Sequence, residues 1–195
     1  MFAKQINITI IAVLMLCTGA FAQGEFVKPG ENALGVYGGA AFYENSDAYS
    51  LGFGYSLKGR FDFSFAVTSD NDVDAQSYTV SATYYVKHFH KLGMFGMGVT
   101  LGYASLQGGG IRDVNVLLLG VVVFNNLYVS RDLALQPYLS GTVWRNNNAA
   151  VGTGQLGITA DLLRRAPVRP LIGAGIGSSD GQSYTTVHGG LVVVF

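Results

Sequence analysis

The sequence is poor in charge, in cysteine and in proline. Only 12% of its 195 residues are Asp, Glu, Lys or Arg, about half the share of an average soluble domain. Bases and acids number 12 each, for a formal net charge of zero, so nothing marks a nucleic-acid binder or a polybasic membrane-surface protein. The single cysteine, Cys17, excludes an internal disulfide framework. Beyond the first segment no window reaches the roughly 18 uninterrupted apolar residues of a transmembrane helix. What is abundant is glycine, 27 residues, within a chain that is 49% hydrophobic and 12% aromatic. A mean hydropathy of +0.33 is too high for disorder, and the glycine follows no collagen triplet.

Residues 1–22 carry Lys4, then an apolar stretch from Ile6 to Leu16, and close on Ala20-Phe21-Ala22. A charged start, an apolar middle and a small-x-small ending predict a secretory signal peptide, cleaved between Ala22 and Gln23. Leu16 stands directly before Cys17, where a lipoprotein leader would place a small residue. Cleavage leaves 195 − 22 = 173 residues without cysteine, with 11 bases against 12 acids. An exported chain without disulfides must be stabilised by closure and packing. The expected organisation is a leader at 1–22, a short N-terminal segment at 23–32, and one domain over 33–195.

From Leu34 onward the dominant period is two. Leu51, Phe53, Tyr55 and Leu57 alternate with Ser50, Gly52, Gly54 and Ser56, and Phe61, Phe63, Phe65 and Val67 alternate with Arg60, Asp62, Ser64 and Ala66. Such runs are strands with one large apolar face and one small or polar face. With the turn signals between them they predict ten strands, at 33–43, 48–57, 60–69, 76–88, 92–105, 114–126, 133–144, 150–163, 168–177 and 184–195. Val116–Phe124 is apolar on both faces, as suits a buried strand or a lipid-facing one with a packed inner side. Pro137 and Pro170 lack a backbone donor; if two of the weaker segments are loops, the count falls to eight.

Alternate connections differ in charge. The odd ones hold Glu44, Asp47, Asp70, Asp72, Asp74, Asp113 and Asp180 against Arg112 and Arg145, whereas the even ones hold Lys58, Lys91, Arg131, Arg164 and Arg165 against Asp132. Odd and even connections therefore face different compartments, and both chain ends lie with the even ones, which are expected to be mostly short turns. The second strand face is mainly Gly, Ala, Ser and Thr, which makes no ordinary soluble surface. Turning the large apolar face to lipid and the small face into a lumen resolves this, provided that the sheet closes and leaves no unpaired edge in hydrocarbon. The expected fold is thus all-β: a closed, antiparallel, up-and-down transmembrane β-barrel. On its apolar face Phe42, Tyr49, Tyr78 and Tyr103 fall near the acidic connections and Phe61 and Phe195 near the opposite end, a pattern expected of aromatic girdles.

The chain ends in Leu191-Val192-Val193-Val194-Phe195, with Leu191, Val193 and Phe195 on one face. Together with the leader and the alternating strands, this resembles small bacterial outer-membrane β-barrel proteins, porin-like or OmpA-transmembrane-like, over essentially all of 33–195. The resemblance implies outer-membrane lipids as surroundings, periplasmic termini, small solutes as possible cargo, and a terminal strand read by the barrel-insertion machinery.

The inward set contains Tyr37, Tyr43, Arg60, Asp62, Tyr85, Lys87, Gln136, Tyr138, Trp144, Asp161, Arg169 and His188. The expectation is that Arg60, Asp62, Lys87, Asp161, Arg169 and His188 form a mutually satisfying lumen network, since an isolated charge at that depth is costly; a selectivity ring is the functional alternative. Three functions follow: a narrow passive channel or structural barrel first, a surface-interaction barrel with a plugged lumen second, and an outer-membrane lipid-modifying or proteolytic enzyme last. No nucleophile, base and orienting carboxylate fall together. His88 and His90 lack a nearby third metal ligand, and Gly108-Gly109-Gly110 has no following helix to cradle phosphate. No catalytic role, cofactor or metal is expected.

Overall fold

The computed structural model describes residues 27–44, 46–70, 74–90, 93–108, 111–146 and 150–195; the expected leader lies outside them. Ten strands follow in chain order: β1 (Ala33–Tyr43), β2 (Asp47–Leu57), β3 (Phe61–Asp70), β4 (Ala75–His90), β5 (Gly93–Gly108), β6 (Ile111–Tyr128), β7 (Ala134–Arg145), β8 (Ala150–Asp161), β9 (Val168–Ser179) and β10 (Gln182–Val194). Each pairs antiparallel with its sequence neighbour, and β1 pairs with β10 from Ala33↔Val194 to Tyr43↔Tyr184, which closes the barrel.

The strands carrying prolines are full members of the wall, so the eight-stranded alternative is set aside. Pro137 pairs with Ile158 of β8, while on the β6 side the register runs from Phe124↔Tyr138 to Leu127↔Leu135 with the two positions between them unpaired. Across that gap the Gln136 side-chain amide donates to Asn126 Oδ1 at 2.8 Å, replacing the bond that proline cannot give. Several strands outrun their expected bounds because the hairpins are tighter than the turn residues suggest. Asp180 and Gly181 both have positive φ, 48° and 82°, the conformation of a two-residue type I′ turn, and the ladder continues to Gln182↔Ser179. Lys58 and Gly59 also have positive φ, 53° and 58°, in a three-residue connection, 58–60, between Leu57 and its partner Phe61, closed by Arg60 N–H donating to the Leu57 carbonyl.

The alternation sorts side chains as expected, with the large apolar set outside. Leu51, Phe53, Val80, Leu101, Leu119, Leu139, Leu156, Ile172 and Ile176 are all exposed on the outer face. On β6 both faces are apolar because Leu117, Leu119, Val121 and Val123 point out while Val116, Leu118, Val122 and Phe124 pack inside. It is an outward-facing strand with a packed inner side.

The inward rings account for much of the glycine. Tyr37 faces Gly52 across the β1–β2 pair, Tyr85 faces Gly98, Phe124 faces Gly96, Tyr138 faces Gly157, Tyr184 faces Gly177 and His188 faces Gly173. At each of these glycines an added Cβ would collide with that partner's ring. The rings therefore lie against the wall over a neighbour without a side chain, and each glycine is the space that one ring occupies. Replacing Gly98 by Ala would set a Cβ 2.8 Å from the Tyr85 ring and is expected to cost about 1–3 kcal/mol. Gly152→Ala, where the new Cβ meets open space, should be close to neutral in urea unfolding followed by Trp144 fluorescence.

Candidate functional site in the barrel lumen

Buried side chains on the inner face cluster in tiers. At the end where the chain termini meet, Val27, Ala33 and Val192 form a buried cluster. Above it Tyr85, Val122, Phe124 and Tyr138 pack together, with Tyr85 and Phe124 edge to face at 5.9 Å between centroids. Towards the opposite, hairpin end lie two further clusters, one around Leu118, Trp144, Val116 and Ala104 and one around Tyr37, Ala41, Ala66 and Tyr184. Leu118 is 0% and Trp144 1% accessible.

The polar groups between these clusters are held by one another. Thr83 and Thr100 hydroxyls meet at 2.8 Å, and those of Ser64 and Ser81 at 2.7 Å. The Gln155 side-chain amide donates to both the Tyr138 hydroxyl and Thr186 Oγ1 at 2.9 Å. His188 Nε2 lies 2.9 Å from Thr159 Oγ1.

The charged residues singled out from sequence lie at several levels of the barrel. Arg169 bridges two acids, with 3.8 Å to Asp161 Oδ2 and 3.9 Å to Glu31 Oε2, and its Nε donates to the Ala166 carbonyl. Lys87 Nζ donates to the Val27 carbonyl at 2.6 Å and sits 5.1 Å from the Tyr85 ring centroid. Asp62 is buried on the inner face of β3, while His188 stands higher up with Thr159. Arg60 is a correction: it lies exposed in the β2–β3 turn. The Lys58-Gly59 turn starts β3 one residue later than the alternation suggests, which leaves Arg60 outside the barrel wall.

What joins Arg169 to Lys87 is a segment the sequence left without a role. Residues 27–32 fold across the termini end of the barrel. Val27 is buried, its carbonyl is held by Lys87 and Glu31 is held by Arg169. Gly30 N–H donates to the Lys58 carbonyl and Lys58 N–H donates to Asn32 Oδ1. Asn32 and Phe195 exchange two backbone hydrogen bonds, at 3.0 and 2.9 Å. The only hints of this cap in sequence were an apolar Val27 ahead of the first strand and an acid, Glu31, on the basic side.

On the outer face, Phe42, Tyr49, Tyr78 and Tyr103 project near the hairpin end and Phe61 near the other. Phe61 packs against Tyr84 with centroids 4.9 Å apart; Tyr84, Phe95 and Tyr128, absent from the sequence-based girdle, are exposed there too. Leu191, Val193 and Phe195 also project outward.

No protein-family model matches the chain, and no curated protein matches it. Solved structures similar to it include the β domain of the Bordetella autotransporter BrkA, with 12% identity over 84% of this chain and 99% of that one and a TM-score of 0.48. The translocator domain of the autotransporter NalP from Neisseria meningitidis aligns at 10% identity over 98% and 95%, with a TM-score of 0.47. An outer-membrane channel from Pseudomonas putida F1 aligns at 11% identity over 85% and 96%, also at 0.47.

Asp161 is 2% accessible at its side chain, so removing its cation strands a buried carboxylate. Arg169→Met is expected to lower stability by about 3–5 kcal/mol. Adding Asp161→Leu should recover most of that loss; an unchanged urea midpoint for Arg169→Met alone would show the bridge to be idle.

Proposed function

We propose that this chain is a structural barrel of a bacterial outer membrane, exported by a cleaved signal peptide, whose lumen is closed in its resting state. The observation that carries the reading is the tiered packing of the inner face. Side chains at the termini end, the middle and the hairpin end are each buried, down to Val27 at 0%, Tyr85 at 1% and Leu118 at 0% accessible. A passive channel requires a continuous file of water, and here the inward polar groups are engaged with one another, as in Thr83–Thr100, Ser64–Ser81 and Gln155–Tyr138, between buried apolar clusters. This packing favours a structural barrel over a narrow pore.

Membrane residence is supported by the outer face, where large apolar side chains stay exposed around the whole wall, a surface suited to hydrocarbon. Orientation rests on charge rather than on loop length, because connections 129–133 and 162–167 on the termini side are longer than 44–46 or 180–181 on the other. The acidic hairpin end is assigned to the exterior and the basic termini end to the periplasm. The barrel has no catalytic role in this reading: the Thr159–His188 pair, a hydroxyl beside an imidazole, is sealed inside it. Leu191, Val193 and Phe195 serve as the strand face that the insertion machinery recognises.

Unheated protein from outer-membrane fractions should migrate faster on gels than boiled protein, and a soluble, unshifted band would reject the membrane barrel. In planar bilayers the wild type and Arg169→Ala should give no stepwise conductance; well-resolved steps from the wild type would restore the channel. Deleting Phe195 should reduce the yield of inserted barrel severalfold, and an unchanged yield would remove its assembly role.

A further inference from the structure

The two longest connections among the described residues lie side by side at the termini end. The β8–β9 turn, 162–167, and the β6–β7 turn, 129–133, are tied by Arg164 N–H donating to the Asp132 carbonyl at 3.1 Å. Each is internally braced. Ser130 Oγ accepts from the Asp132 and Leu133 N–H groups, and Ala166 N–H donates to the Leu163 carbonyl. The Arg164 guanidinium lies over the Tyr128 ring at 4.0 Å from its centroid, which fixes the cation at the level where an outward aromatic of β6 leaves the wall.

The surface so built carries Arg131, Arg164 and Arg165 against one acid, Asp132. Beside the cations Leu162 and Leu163 are exposed at 43% and 47%. Two exposed leucines at the tip of a turn are out of place in water, but here they extend the outward apolar wall of Leu127 and Val168. Cations fixed just beyond the edge of an apolar wall meet the phosphate level of a bilayer, and the leucines beneath them meet the first acyl carbons. A free anion or an acidic peptide would match the arginines but leave the leucines without a use.

We propose that the paired β6–β7 and β8–β9 turns bind the headgroup of an anionic glycerophospholipid, with Arg131, Arg164 and Arg165 on its phosphate and Leu162 and Leu163 against its acyl chains. The site rests on the membrane-barrel reading and adds a preferred lipid at one end of it. Arg supplies a planar, paired donor set suited to phosphate oxygens, and each cation near an anionic lipid surface contributes about fivefold in affinity.

The test uses the barrel purified from outer membranes and reconstituted into vesicles of phosphatidylcholine containing a minority of spin-labelled phosphatidylglycerol. The immobilised fraction is compared with that of spin-labelled phosphatidylcholine. The wild type should favour phosphatidylglycerol by about tenfold or more, less so in high salt. The triple variant Arg131→Gln, Arg164→Gln, Arg165→Gln should bring the ratio close to one. Arg131→Gln with Arg165→Gln, which keeps Arg164 on Tyr128, should lose most of the preference without touching the turn contact. Arg145→Gln at the opposite end should change nothing. A wild-type ratio near one, or a preference that survives the triple variant, would each overturn the site. Failure to insert into any vesicle would overturn the membrane reading with it, whereas insertion without preference overturns the lipid site alone.

Discussion

Everything in this molecule depends on the requirement that no backbone N–H or C=O be left unpaired where water is absent. A sheet meets that requirement only by closing, and the β1–β10 ladder, eleven register pairs from Ala33↔Val194 to Tyr43↔Tyr184, is where it closes. Closure fixes the inner circumference and so the volume that side chains must fill. The two faces of each strand then answer to different solvents. Outside, size and apolarity are tolerated without limit; inside, ten converging strands demand that large groups be matched to small ones.

The match is made pair by pair. Each of six inward rings faces a glycine directly across a ladder, so the wall has recesses where the rings rest. Glycine in a strand costs conformational entropy relative to alanine; here that cost is offset by ring burial that any Cβ would obstruct. Large residues can thus line a narrow barrel without meeting at its axis in a clash. Where no glycine is opposite, as for Trp144 between Leu118 and Val151, the ring packs against other side chains instead and belongs to the apolar cluster near the hairpin end.

Most of the wall was legible in the sequence because a period of two is a local property, written in runs such as Phe61–Val67. Ten strands, their antiparallel order and the side each residue faces all follow from that period once closure is imposed. What stayed hidden was non-local or depended on a single turn. The alternation continues through Arg60 as though it were an inward strand residue, yet the positive φ of Lys58 and Gly59 delays the strand by one step. The segment 27–32 has no periodicity of its own, and its place is given by Lys87, Lys58 and Arg169, residues far away in sequence. The pairing of rings with glycines was likewise invisible, since register across strands cannot be read from either strand alone.

The seam that closes the wall also sets how such a chain can come to be folded. Nine of the ten ladders join sequence neighbours and can zip up from a hairpin, whereas the tenth joins strands separated by nearly the whole domain. Contacts of such long sequence separation form late. Until they do, the chain is an open sheet with two bare edges, the form most prone to pair with copies of itself. The reciprocal Asn32–Phe195 hydrogen bonds at the foot of the seam form only once both edges have met, so the cap over the termini end is an interaction available to the finished barrel and to no earlier state.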